Sequence, residues 1–196
     1  RAGEISVKSG EKIVFLGDSI TEQGMGPLGY VRLVIAGLKT NGVDATSIGA
    51  GISGQKSNQM LARTDGLVAR KPEWMTLSCG VNDVWHGAGG VPLDAYKTNI
   101  TAIVDKAQAA GTKMVILTPT MISEDLNSPN NQKLAGYIAF LKELAAEKKC
   151  PIADLYADCQ ALIKTKDKPG NLLTTDGVHM NAAGNQVMAK GVLKAF

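Results

Sequence analysis

The chain has 196 residues, 44% hydrophobic, 20% charged and 5% aromatic, and its 21 basic and 18 acidic residues leave a formal charge of +3. This composition is that of a globular protein with a substantial core, expected as a single domain over residues 1–196, and it excludes disordered, collagen-like and disulfide-packed classes. The small charge and the lack of a basic face interleaved with aromatics exclude a nucleic-acid partner, and no apolar run reaches the roughly 18 residues that would cross a bilayer.

In chain order, the first apolar, β-rich run covers residues 12–17, and a helical stripe of Val31, Val34, Ile35 and Leu38 follows it. A second strand is expected at 45–50, with a stripe of Met60, Leu61, Thr64, Leu67 and Val68, and a third at 74–79, with Tyr96, Ile100, Ile103, Val104 and Ala107. The fourth, at 113–118, precedes Leu134, Ile138, Leu141 and Leu144, and the fifth covers 151–155. Residues 164–170 read as a surface loop, and Asn181 as the N-cap of a last helix that turns Ala183, Val187, Met188 and Val192 inward. Strands alternating with helices through long connections imply a parallel sheet with right-handed crossovers, hence a three-layer α/β/α domain. Lys142, Lys148, Lys149, Lys164, Lys166 and Lys168 are expected on solvated faces. Cys79 sits in an apolar run as a small hydrophobe, and Cys150 and Cys159 can pair if the compartment is oxidising and the geometry allows. The opening Arg1 suggests loss of an upstream segment, so a secreted or periplasmic location is expected, with a cytoplasmic one as the alternative.

Ligands of open α/β sheets bind outside the carboxyl edge of the strands, so the residues that follow the strands carry the functional information. They are Gly17-Asp18-Ser19-Ile20-Thr21, Gly49-Ala50-Gly51-Ile52-Ser53-Gly54, Gly80-Val81-Asn82-Asp83, Thr118-Pro119 and, before the last helix, Asp176-Gly177-Val178-His179. The chain has two histidines, His86 and His179. His179 is the candidate base, because a turn can bring Asp176 onto its ring, fixing the tautomer and stabilising an imidazolium; a turn with a surface histidine is the bland reading. Ser19, where the chain leaves a buried strand, is the candidate nucleophile, with a simple N-cap as its competing role. The backbone N–H groups of Ser19 and Gly54 and the Asn82 amide are candidate oxyanion donors, each worth about 3 kcal/mol in such sites. No Gly-x-Ser-x-Gly is present, which argues against the nucleophile elbow of ordinary α/β-hydrolases.

Taken in order, Gly17-Asp18-Ser19-Ile20-Thr21, Gly51-Ile52-Ser53-Gly54, Gly80-Val81-Asn82-Asp83 and Asp176-Gly177-Val178-His179-Met180-Asn181 resemble the SGNH (GDSL-type) hydrolase family over residues 12–194. The resemblance implies a flavodoxin-like sheet of order 2-1-3-4-5 and esterase or lipase activity without a cofactor. It makes Ser19 the nucleophile, Gly54 and Asn82 oxyanion donors, His179 the base and Asp176 its partner. It is nearest to the subgroup of carbohydrate acetylesterases and platelet-activating-factor acetylhydrolase types. One departure is Gly49, where the second block often carries an asparagine, so a supporting hydrogen bond is expected to be missing.

Other readings are less well supported. Gly49-x-Gly51-x-x-Gly54 formally matches a dinucleotide fingerprint, but Glu73, at the spacing of its acidic partner, precedes the next strand and points to the wrong edge. There is no P-loop sequence and no zinc-ligand spacing, so neither a cofactor nor a metal is expected. A catalytically silent carbohydrate-binding domain remains the non-enzyme alternative. Residues 84–92 are expected to wall the pocket, with Trp85 packing either on substrate or on the loop, His86 contacting substrate or solvent, and Asp83 capping the following turn. Compact connections leave no lid, so a shallow pocket for short acyl groups is expected. Acetylated carbohydrate is the leading substrate, and lysophospholipid and thioester hydrolysis are the alternatives.

Overall fold

The computed structural model describes residues 4–196. Its elements are β1 (Lys12–Gly17), α1 (Ser19–Gly24), α2 (Tyr30–Thr40), β2 (Thr46–Gly51), α3 (Ser57–Ala62), α4 (Thr64–Val68), β3 (Trp74–Ser78), α5 (Val81–Trp85), α6 (Leu93–Ala109), β4 (Lys113–Leu117), α7 (Pro129–Lys148), β5 (Ile152–Ala153), α8 (Leu155–Ile163) and α9 (Ala182–Ala195). The five strands form one parallel sheet in the order β2-β1-β3-β4-β5. Ile13, Val14, Phe15 and Leu16 are all fully buried, and every residue of β3 is buried. Both faces of these strands are therefore covered, which explains why they read as continuous apolar runs rather than alternating ones.

Helix α2 packs on α9, which also carries α8, while α3, α4 and α7 pack on α6. Right-handed crossovers place these two groups on opposite faces, because the chain steps from β1 to β2 in one direction and from β3 through β5 in the other. The direction reverses between β1 and β3, so the segments leaving those strands diverge and open a crevice at the carboxyl edge.

Several expected boundaries are corrected. The fifth strand is two residues long rather than five, paired as Ile116↔Ile152 and Leu117↔Ala153. Asp154 ends it by accepting the Ala157 N–H at 3.1 Å, which starts α8 at Leu155, a helix absent from the sequence reading. The stripe over residues 60–68 is divided between α3 and α4 at Arg63. There the Thr64 hydroxyl donates to Met60 O at 2.8 Å, a back-bond that bends helices. β2 runs one residue later than expected, and β3 and β4 each stop one residue earlier. Cys79, Cys150 and Cys159 are buried free thiols. Asn181 caps α9 as expected, its Oδ1 accepting from Gly184 N at 2.9 Å.

Candidate active site

The first segment of the site is built by a glycine and a cap. A Cβ on Gly17 would lie 2.1 Å from Thr21 Oγ1, so only glycine lets α1 fold back against the end of β1. Asp18 then caps that helix, its Oδ1 accepting from Ile20 N at 3.0 Å. The residue is 3% exposed, and burial pushes its carboxyl up to about 6. Ser19 follows, half-buried, its backbone N–H without an acceptor among the described residues.

Asp176 and His179 lie in the loop before α9. Asp176 Oδ1 accepts the backbone N–H of Val178 at 2.9 Å and of His179 at 2.8 Å, a tight turn that leaves Oδ2 2.6 Å from His179 Nδ1. Desolvation raises the Asp176 carboxyl, but these hydrogen bonds together outweigh it and bring the group to about 2. An ionised Asp176 can only accept, so Nδ1 carries the imidazole proton and Nε2 is left as the acceptor. Ser19 Oγ stands 3.1 Å from that Nε2, so the hydroxyl donates to the ring.

The oxyanion candidates come from two further segments. Gly54 has φ +78, a conformation L side chains rarely adopt, and its N–H has no acceptor among the described residues. Asn82, 6% exposed, directs Nδ2 to Gln55 O at 3.1 Å and more weakly to Asp18 Oδ2 at 3.5 Å. One amide thus joins the three segments, since Asp18 adjoins Ser19 and Gln55 adjoins Gly54. The expected site residues therefore converge: Ser19, His179 and Asp176 form one hydrogen-bonded chain, and Gly54 and Asn82 are tied beside it.

Two supporting side chains, Arg63 and Glu124, carried no signal in the sequence, and a third, Asp83, has a different role from the expected one. Arg63 donates through Nη2 to Gly17 O at 3.1 Å and Ala50 O at 2.7 Å, and through Nε to Gln55 Oε1 at 2.7 Å, clamping the ends of β1 and β2 to the Gly54 loop. Glu124, 8% exposed, accepts from the backbone N–H groups of Leu172, Leu173 and Thr174 and from the Thr174 hydroxyl, at 2.7, 3.1, 2.9 and 2.5 Å. Burial raises its carboxyl, and these bonds outweigh burial, holding it below the ordinary carboxylate value. Glu124 thereby anchors the loop that carries Asp176 and His179, aided by Ser123 N donating to Gly177 O at 2.8 Å. Asp83, expected to cap the following turn, instead reaches across to α3. There its Oδ2 accepts from Ser57 N at 3.0 Å and Ser57 Oγ at 2.6 Å.

Gly49 and Gly51, the first two glycines of the formal dinucleotide match, have packing roles instead. A Cβ on Gly49 would meet Met25 Cε at 2.6 Å, and one on Gly51 would meet Glu22 N at 2.2 Å, so both admit α1 and the turn after it. Glu73 caps the opposite edge of the sheet, with Oε1 accepting from Lys12 N at 2.8 Å. Among the described residues, no group of three or more His, Cys, Asp or Glu is arranged to hold a metal ion. Trp85 is 40% exposed, its ring centroid 6.4 Å from that of His179, so it lies beside that candidate base rather than in the core.

The chain is similar to known proteins in sequence and in fold. An acetylxylan esterase from Geobacillus stearothermophilus is 28% identical over 97% of this chain and 95% of its own length. A crystal structure of the acetyl xylan esterase AlAXEase superposes with a TM-score of 0.86 at 32% identity, covering 94% of this chain and 98% of that one. The Geobacillus stearothermophilus enzyme gives 0.85 at 27% identity, over 96% and 95%. Its solved forms include catalytic mutants in which a serine, an aspartate and a histidine three positions after that aspartate are each replaced by alanine. The sequence profile of the GDSL-like lipase/acylhydrolase family matches residues 15–187, and the chain belongs to that family.

Proposed function

We propose that this chain is a serine esterase that removes acetyl groups from carbohydrates, with Ser19, His179 and Asp176 as its triad. The observation that carries the reading is the continuous chain from Ser19 Oγ to His179 Nε2 at 3.1 Å and from Nδ1 to Asp176 Oδ2 at 2.6 Å. As the Ser19 oxygen attacks an ester carbonyl, His179 takes its proton at Nε2, and the ionised Asp176 stabilises the resulting imidazolium. Negative charge collects on the former carbonyl oxygen, and the Ser19 and Gly54 N–H groups and the Asn82 amide donate to it. The imidazolium then protonates the leaving alkoxide. Water repeats the sequence on the acyl-enzyme, releasing acetate and restoring the Ser19 hydroxyl.

The substrate reading rests on the rim and on the relatives. Four of the five exposed large hydrophobics among the described residues, Leu28, Ile52, Trp85 and Leu172, lie on segments at the carboxyl edge. Such a rim suits an acylated sugar, whose ring faces and acetyl groups are apolar, and acetylated xylan is the substrate class named for the relatives. The test is hydrolysis of p-nitrophenyl esters from acetate to octanoate, and acetate release from acetylated xylooligosaccharides, by the parent and by Ser19→Ala. The expected result is turnover that vanishes in the variant and falls steeply beyond butyrate. Equal activity in both proteins would refute the serine mechanism, and a preference for octanoate would refute the acetyl assignment.

A further inference from the structure

The Asn82 carboxamide is held from both ends. Its Nδ2 faces two oxygens, Gln55 O and Asp18 Oδ2, so the amide has its nitrogen on that side and its oxygen on the other. Oδ1 then lies 3.2 Å from His86 Nε2, and because Oδ1 can only accept, His86 donates through Nε2. Residues 82 and 86 are one helical turn apart across α5 and its C-cap, which brings the two side chains to one face.

The imidazole itself is steadied. The Trp85 ring stacks against it with centroids 5.7 Å apart and planes at 22°. The following turn closes on α5 through Val91 N donating to Asp83 O at 2.9 Å. A Cβ on Gly90 would stand 2.2 Å from that same oxygen, so glycine permits the closure.

We infer that His86 is a positioning residue for the oxyanion site: its Nε2–H holds and polarises the Asn82 carboxamide so that Nδ2 is presented to the developing negative charge. The inference rests on Asn82 being an oxyanion donor, as proposed above. Of the two Nδ2 contacts, the one to Asp18 is the longer, at 3.5 Å, and its hydrogen is the one available to an oxyanion of the substrate. With that hydrogen given to substrate, the contact with Gln55 alone would leave the carboxamide able to rotate, and the bond at Oδ1 supplies the second fixed point. A donor whose own carbonyl accepts a hydrogen bond is also the stronger donor.

The experiment compares kcat and KM for p-nitrophenyl acetate in the parent, His86→Leu, His86→Gln, Asn82→Ala and the double variant His86→Leu/Asn82→Ala. Glutamine places an amide nitrogen near the position of the histidine Nε2 and keeps the donor. The expected result is a kcat lowered roughly tenfold in His86→Leu, KM within about twofold, and most of the loss recovered in His86→Gln. The leucine change should add little once Asn82 is gone, because the two act through one group. The inference is overturned if His86→Leu keeps the parent kcat, if His86→Gln is as impaired as His86→Leu, or if the leucine change costs as much in the Asn82→Ala background. An Asn82→Ala variant with full kcat would instead refute the oxyanion role of Asn82, and with it this one.

Discussion

Glu124 offers a sharp test of how the catalytic loop is held. Its two oxygens accept four hydrogen bonds from residues 172–174, with Oε1 taking Leu172 N and Oε2 the other three. In Glu124→Gln the amide nitrogen cannot accept, so at least one bond is lost, and the others pass from a charged to a neutral acceptor. Bonds to charged groups contribute about 1.5–3 kcal/mol against about 0.5–1.5 for neutral ones. Four bonds shared by two oxygens are not additive, and a net loss of about 3 kcal/mol follows. At roughly 2–4 °C per kcal/mol for a chain of this size, Tm falls by about 6–12 °C. Because Asp176 and His179 ride on the released loop, kcat falls by about tenfold or more. The Glu124 carboxyl is held below its unfolded value, so its contribution is present above the unfolded value and lost as pH falls through the folded one. The Tm values of parent and variant should therefore converge on acidification. Calorimetry across pH and p-nitrophenyl acetate kinetics read both effects. A variant melting within about 1 °C of the parent at neutral pH, with unchanged kcat, would refute the anchoring argument.

Other expectations follow from the same geometry. Asp18 titrates at about 6 in the fold, above its ordinary value, so the stability it contributes is full below the unfolded pKa and declines as pH rises through the folded one. Asp18→Asn keeps an oxygen for Ile20 N, so its Tm should gain on the parent's between about pH 4 and 7; parallel Tm–pH curves would contradict this. In Gly54→Ala the new Cβ meets nothing within 4 Å, but φ +78 strains it by about 1–2 kcal/mol. The fold should survive while kcat falls about tenfold or more through the displaced N–H, and an unchanged kcat would remove Gly54 from the oxyanion site.

The catalytic candidates were legible because Ser19, Gly54 and Asn82 stand in short blocks after strands, which in a parallel sheet all end on one edge, while Asp176 and His179 stand in a short block before the last helix. Ser19, Gly54 and Asn82 were singled out by the alternation of strands and helices, and His179 by being one of two histidines with Asp176 three residues before it, none of which needs knowledge of long-range contacts. The short fifth strand was overestimated because residues 151–155 are apolar but for Asp154, and it is Asp154 that ends the strand by capping α8. The division of α3 from α4 was hidden for a similar reason, since the apolar stripe continues through Arg63 unchanged.

The sequence by itself determined the α/β/α class, the five strand positions and the set of residues at the carboxyl edge, because hydrophobic period and turn chemistry act over a few neighbours. Only the tertiary structure decided what holds those residues in place. Glu124 meets its partners 48–50 positions away, Arg63 reaches Gly17 across 46, and Asp83 reaches Ser57 across 26. A buried carboxylate or guanidinium must find its hydrogen-bond partners wherever packing puts them. No local pattern records which distant backbone groups those will be.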